Sequence, residues 1–321
     1  MKIPTRVSAT AETMGRRKKG RDIDGIVLLD KPAGCSSNAA LQRLRRAFDA
    51  RKAGHTGSLD PLASGLLPVC LGEATKVSSY LLQADKQYRV DAIVGSETTT
   101  GDREGEVSRQ SGTELPDADT IRAMLADFTG PQRQIPPMYS ALKQDGKRLY
   151  ELARAGQVVA REPRDIVVKE LRLVAVGDGC FTLDAVVSSG TYIRTLVEDI
   201  ARALGLCAHV GALRRERVGV LGVERAMTPL ADIEHRAQSD ESLNALLLPV
   251  SVAIGDWPQV VLDADDAKAI GHGRAVACAR TPAARDHLVC VADEYGGLLG
   301  LGEIQPDGRL APKRLFARMQ H

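Results

Sequence analysis

Aromatic residues are scarce in this chain, at 3 % with a single Trp, and histidine is limited to six residues. No stretch approaches the roughly 18 consecutive apolar residues that a membrane helix needs. The six cysteines (Cys35, Cys70, Cys180, Cys207, Cys278 and Cys290) stand singly, without a CxxC pair. That spacing speaks against a disulfide framework and against a zinc ribbon. The first 22 residues hold no apolar core of the kind a secretory signal carries. Also missing are a GxSxG elbow, a P-loop, an HExxH pair and a GxGxxG turn after a strand. Together these absences lead us to expect a reduced, cytoplasmic protein without a membrane span and without a metal.

What is present is a chain of 321 residues, long enough for two domains, with 44 % hydrophobic and 26 % charged residues. The formal net charge is only +2, yet it is unevenly spread. Residues 1–21 carry seven Lys and Arg against one Glu, which is +6, so the rest of the chain sums to −4. Residues 42–54 hold Arg43, Arg45, Arg46, Arg51 and Lys52 against Asp49, and residues 131–164 hold seven basic and three acidic residues. Such clusters suit a phosphate-backbone partner, and they equally suit a solvated tail or a solvated helix face.

Along the chain, Ile26 to Leu29 predicts a short buried strand, stopped by Pro32. Ser36 and Ser37 are N-cap candidates for a helix with Leu41, Leu44 and Phe48 on one side and Arg43, Arg45 and Arg46 mostly on the other. Residues 53–65 predict a loop, Tyr88 to Val94 a strand, 98–107 a turn-rich loop and 117–127 an amphipathic helix. A short helix is expected over 146–156 and a strand over 166–176. Phe181, Leu183, Ala185 and Val187 alternate as in a half-buried strand. Ile193, Leu196, Val197, Ile200 and Leu204 then line one face of a helix that Gly205 stops. Strands and helices mix without a βαβ rhythm, so the fold class expected is an α/β (α+β) body with a mixed, largely antiparallel sheet. Beyond Trp257, short apolar runs separated by Gly, Pro and Asp predict a small all-β module that leans on the body for stability. The expected partition is a basic, disordered arm over 1–22, a body over 23–250 and the module over 256–321.

The segment with most chemical promise is GHTGSLDPLASG. Asp60 precedes a proline, which biases it toward extended backbone and can hold its carboxylate outward. Gly54, Gly57 and Gly65 would let a ligand approach the main chain closely. An Asp before Pro is also a common plain turn former, and the residues alone leave both readings open.

The blocks GIVLLDKPAGCSSN, KAGHTGSLDPLASGLLPVCLGEATK, KQYRV, TTTGDREGEV, GPQRQIPPMYSALKQDGKRLYELARAG and SGTYIRTLVEDIARALG occur in this order. Together they resemble the bacterial TruB family, the tRNA pseudouridine synthases that act on the T-loop uridine at position 55. The resemblance implies a pseudouridine-synthase-like catalytic domain over about 23–250 and a PUA-like RNA-binding domain at the C-terminus. It implies Asp60 as the catalytic residue and Arg194, in TYIRT, as the arginine that pairs with it. His55 matches the histidine associated with flipping the target base, and Tyr88 the tyrosine that stacks on it. Asp102 and Tyr192 would belong to the pocket and Leu213 to its apolar wall, with Lys31 and Lys76 in phosphate or scaffold roles. Lys313 and Arg314 would lie near RNA. The implied partner is the tRNA T-arm, with no membrane, no obligatory protein partner, no cofactor and no metal, and the implied state is a monomer. The arm (Arg16, Arg17, Lys18, Lys19, Arg21) lies outside these blocks. A guide-RNA-dependent relative, an RNA-folding protein with incidental catalysis and a glycoside hydrolase are the rival readings. The last would need a second carboxylate paired with Asp60.

Overall fold

The computed structural model describes residues 20–222, 226–239, 241–278 and 288–317, so the arm expected over 1–22 lies almost wholly outside the described residues. Strand β1 (Gly25–Lys31) shows how the main sheet is built. Its side chains alternate, with Val27 and Leu29 entering one apolar cluster and Ile26 and Leu28 another on the opposite face. Helix α1 (Ser37–Ala47) follows, capped by Ser36, whose hydroxyl accepts from the Ala39 N–H. Leu41 and Leu44 are buried and Arg45 and Arg46 exposed, the expected division of faces.

Residues 53–65 are not one loop. They contain β2 (Ala53–His55), and the segment runs into β3 (Ser64–Leu71). β3 lies between β1 and the later strand β12, with β2 alongside, and is apolar on both faces because Leu67, Val69 and Leu71 enter the first cluster and Leu66 and Cys70 the second; Pro68 sits within it. A 3₁₀ turn and α2 (Ser78–Gln83) lead to β4 (Lys86–Val94). The turn-rich 98–107 segment proves to be the tip of a hairpin between β5 (Ser96–Thr98) and β6 (Val107–Gln110). Then come α3 (Ala118–Asp127) and β7 (Gly130–Gln134). A two-residue hairpin, β8 (Lys143–Gln144) with β9 (Lys147–Arg148), precedes α4 (Leu149–Arg154). β10 (Arg164–Gly177) and β11 (Cys180–Val187) form a long antiparallel pair. In β11 the alternation breaks, because Asp184 is buried as well, clamped by Arg89 at 2.8 and 2.9 Å and by Arg172.

Helix α5 (Ile193–Ala203) ends before Gly205, as expected, and leads into β12 (Ala208–Val218). β13 (Thr228–Pro229), α6 (Leu230–Gln238) and α7 (Ser251–Ile254) complete the body. The main sheet runs β13-β1-β3-β12-β4-β11-β10-β7, with β2 paired beside β3. β13 with β1 and β12 with β3 are parallel and the other pairs antiparallel, so the sheet is mixed and largely antiparallel. Residues of α1, α3, α5 and α6 fill the first face.

The C-terminal module has five strands in the order β14-β16-β17-β18-β15: β14 (Gln259–Leu262), β15 (Val276–Ala277), β16 (Leu288–Asp293), β17 (Leu298–Ile304) and β18 (Arg309–Leu315). Besides these expected strands its described residues include one helix, α8 (Ala264–Gly271), capped by Asp263. The module does lean on the body. Cys290 and Leu301 enter the second apolar cluster beside Ile26, Leu66 and Ile254, and Trp257 meets Tyr80 edge to face at 5.3 Å. Among the described residues, no helix is long and apolar enough to cross a membrane.

Candidate active site

The loop between β2 and β3 carries Asp60, and three neighbours pin it. At the start of α1 the buried Ser37 hydroxyl donates to the Leu59 carbonyl (3.0 Å) and accepts from the Leu59 N–H (2.7 Å). Beyond β1, the Gly34 N–H donates to the Pro61 carbonyl at 2.8 Å. From β12, Arg215 donates to the carbonyls of Leu66 (2.7 Å), Gly57 (3.0 Å) and Ser58 (3.4 Å). Gly65, at φ +97°, allows the closest of these approaches: a Cβ there would stand 2.2 Å from the Arg215 carbonyl.

Against this braced loop stands Arg194, in the first turn of α5. Its Nε lies 2.9 Å from Asp60 Oδ2. Its Nη1 donates to the Thr100 carbonyl (2.5 Å) and its Nη2 to that of Tyr139 (2.9 Å), while Asp102 Oδ2 is 3.7 Å away. One guanidinium thus gathers the β2–β3 loop, the β5–β6 turn and the segment after β7. Asp102 is buried and shapes the β5–β6 turn, accepting from Thr100 Oγ1 (2.6 Å) and from the Glu104 N–H (3.1 Å). It therefore backs Arg194. Crowding by protein pushes the Asp60 carboxyl above the usual carboxylate range; Arg194 and Lys31 pull it back, and Asp102 adds to the rise.

A family model described as "TruB family pseudouridylate synthase (N terminal domain)" matches residues 45–193, and two C-terminal models of the same family match 194–254 and 258–316. The protein named tRNA pseudouridine synthase B from Nitrosococcus oceani is 49 % identical over 302 residues, covering 94 % of this chain and 97 % of that protein. Its namesake from Stutzerimonas stutzeri is 48 % identical over 298 residues, covering 92 % and 96 %. The chain belongs to the TruB family. Among solved structures, one titled "Crystal Structure of a Cbf5-Nop10-Gar1 Complex" matches with a TM-score of 0.68 at 27 % identity, covering 88 % of this chain and 78 % of that one. Another, an H/ACA RNP bound to a substrate RNA containing 2'-deoxyuridine, has the same TM-score at 23 % identity, covers 91 % and 85 %, and agrees in fold.

The remaining residues carried over from the TruB motifs fall into two groups. His55, at the end of β2, is half-buried, and burial followed by the charge of Arg215 pushes its imidazole below the usual range, which favours the neutral ring. Among the described residues its Nδ1 has no hydrogen-bond partner. Tyr88 (9 % exposed) and Leu213 share the apolar cluster that also takes Leu59 and Leu62, the residues flanking Asp60. Tyr88 and Leu213 come from adjacent strands, β4 and β12, so the sheet itself supplies this wall. Tyr192 caps α5, with its backbone clasped by the Gln134 side chain at 2.8 and 3.0 Å, and burial pushes its phenol up.

The lysines make contacts within the chain. Lys31 is fully buried, its ammonium donating to the carbonyls of Cys35 (2.7 Å) and Pro32 (2.9 Å), close enough to Asp60 for their charges to interact. Lys76 joins Glu73 (2.6 Å) to the Leu315 carbonyl (2.7 Å) and so ties the body to the module. Lys313 pairs with Glu303 at 2.6 Å on the module's surface. Arg215 and Gln134 were not found from sequence. Arg215 stands in a run, RRER, that reads as surface charge, yet it is 1 % exposed, and nothing in the residue pattern distinguishes it from Arg214. Among the described residues, no cluster of His, Cys, Asp and Glu could hold a metal ion.

Proposed function

We propose that this chain isomerises the T-loop uridine at position 55 of tRNA to pseudouridine, with Asp60 as the catalytic residue. The observation that carries the reading is the 2.9 Å pair between Asp60 and Arg194 on a loop braced from three sides. In the reaction the bond from ribose C1′ to uracil N1 breaks, the base turns, and C1′ joins C5. The proton of C5 is lost and N1 gains one, so the product is an isomer. An ionised Asp60 can serve as nucleophile or as the base that promotes glycal formation, and Arg194 favours that ionised state. Tyr88 and Leu213 offer an apolar wall for a flipped base, and the neutral His55 ring is suited to stacking where the base departs. Extruding a base costs about a few kcal/mol, which contacts of this kind offset. Lys31, Asp102 and Arg215 hold the geometry. Residues 23–250 form the catalytic domain and 256–321 the PUA-like domain of a cytoplasmic monomer that needs no partner protein.

The test uses unmodified tRNA transcript tritiated at uracil C5, with wild type and Asp60→Asn compared. Wild type is expected to release the tritium, and the variant to bind the tRNA without releasing it. If both proteins bind and neither releases tritium, the chain is an RNA-binding protein and the proposal fails.

A further inference from the structure

Two turns along α5 from Arg194 stands a second cluster of charges that the chemistry does not use. Arg194, Glu198 and Arg202 recur at four-residue spacing, so they line one face of α5 over about 12 Å, at 1.5 Å per residue. That face meets the β5–β6 turn at three points. Arg194 donates to the Thr100 carbonyl at 2.5 Å. Gly101, at φ +75°, packs against Glu198: a Cβ there would stand 2.7 Å from Glu198 Oε1 and 3.3 Å from Arg194 Cβ. Arg202 completes the row, its Nε 3.0 Å from Oε1 of Glu97 in β5. The same guanidinium reaches Glu198 at 3.2 Å and Asp199 at 3.1 Å.

Plain surface charge is the competing account of Arg202, and it holds for Asp199. Both side chains of that pair are 41 % exposed, where an ion pair is worth little. It does not hold for Glu97, whose side chain is 10 % exposed. A carboxylate so placed is costly to leave without its cation. Arg109, on the exposed strand β6, comes only to 3.9 Å of it. Burial, with Glu97 and Asp199 nearby, pushes the Glu198 carboxyl above the usual range, and Arg202 draws it back. Without Arg202, three carboxylates would face one another where β5 meets α5 and would drive the two apart. Backbone bonds to β12 also hold the turn, from Val210 N–H to the Gly101 carbonyl and from Arg103 N–H to the Val210 carbonyl, both 3.0 Å. Toward α5 the holding groups are the side chains just named. Thr100 and Asp102, which orient Arg194, ride on this turn.

We propose that Arg202 is a positioning residue: through Glu97 it sets the β5–β6 turn against α5, and the turn then orients Arg194 on Asp60. The proposal rests on the isomerase reading above. The test measures single-turnover tritium release at saturating enzyme, and tRNA affinity, at a temperature where circular dichroism shows each protein folded. The proteins are wild type, R202M, E97Q/R202M, E97R, R202E and E97R/R202E. R202M is expected to lose about 10-fold in rate with its tRNA affinity kept, since a small displacement of an orienting group suffices for that. E97R and R202E each bring like charges together and are expected to lose at least as much. E97R/R202E restores the pair with its signs exchanged and is expected to be faster than either single variant. If R202M does not fold, E97Q/R202M removes the buried anion along with its cation and carries the same expectation. A wild-type rate in whichever of these two folds overturns the proposal. So does an exchanged pair no faster than its single variants, or a rate and an affinity that fall together, as general loosening would produce. A wild type that binds tRNA and releases no tritium overturns the isomerase reading and this one with it.

Discussion

Arg194 and Asp60 share an ion pair in which the cation is buried and the anion is not: their side chains are 5 % and 41 % exposed at a separation of 2.9 Å. Fixing the cation and leaving the carboxylate one open side is what a reactive carboxylate requires. A guanidinium bound to three carbonyl or carboxylate groups from separate segments cannot follow Asp60 if it moves, so Arg194 acts as a template for its position.

Arg194→Lys keeps the charge but not the fork that reaches Asp60, Thr100 and Tyr139 together. Turnover is expected to fall about 10²-fold, and further in Arg194→Met, with tRNA affinity changed much less. Single-turnover tritium release at saturating enzyme measures this. Near-wild-type turnover in Arg194→Met would show that the pair is structural.

The acid limb of the pH–rate profile follows from the same site. The protein packed around its closed sides holds the Asp60 carboxyl above its ordinary value, so kcat/KM is expected to decline as pH falls through a midpoint above that of an ordinary aspartate. Arg194 and Lys31 lower that midpoint, and Arg194→Met is expected to move it upward. The stability sign follows from a folded-state pKa that is raised. The contribution of this carboxyl is present at low pH and lost as pH rises through the folded pKa. Asp60→Asn is therefore expected to melt at or above the wild-type temperature at pH 7, with the difference closing in acid. A variant that melts lower at pH 7 would contradict this account.

Arg215 supplies a test of positioning at a distance. Arg215→Met leaves the carbonyls of Gly57, Ser58 and Leu66 without their donor inside the protein. A loss of about 3 kcal/mol is expected, or roughly 6–12 °C in Tm. At a temperature where the variant is folded, kcat is expected to fall more than tRNA affinity, because the loop moves and the RNA surfaces do not. Equal losses in the two would point to general unfolding.

The parts of this molecule that were readable in its sequence are those where one physical rule acts alone. α1 and α5 announce themselves by period and cap, and β4 by strict alternation. β12 was hidden because tertiary context overrides its composition: Arg214, Arg215 and Arg217 lie on a central strand, pairing with Asp30, loop carbonyls and Gln87, and Arg215 alone is fully buried. β3 was hidden for the opposite reason. Covered on both faces, it has no alternation to detect, and its Pro68 resembles a breaker. In the site, Asp60 could be suspected from its glycines and its proline. Arg194 could not be placed beside it, because 134 positions separate them and only the folded sheet brings α5 to the β2–β3 loop.

Trp257, the sole tryptophan, sits where the module meets the body, so its fluorescence reports on that contact. A module of this size buries a modest core of its own. It borrows from the body the edge-to-face contact with Tyr80, the placement of Cys290 and Leu301 among body residues, and the Lys76 bond to Leu315. Denaturation is therefore expected to be cooperative across both parts, with Trp257 emission and far-UV circular dichroism changing at one midpoint. Trp257→Ala should lower stability by about 2 kcal/mol, less than the loss of a fully buried ring, since Trp257 is half-buried. An early fluorescence transition, completed before most of the helical signal is lost, would instead mean that the module detaches and unfolds on its own.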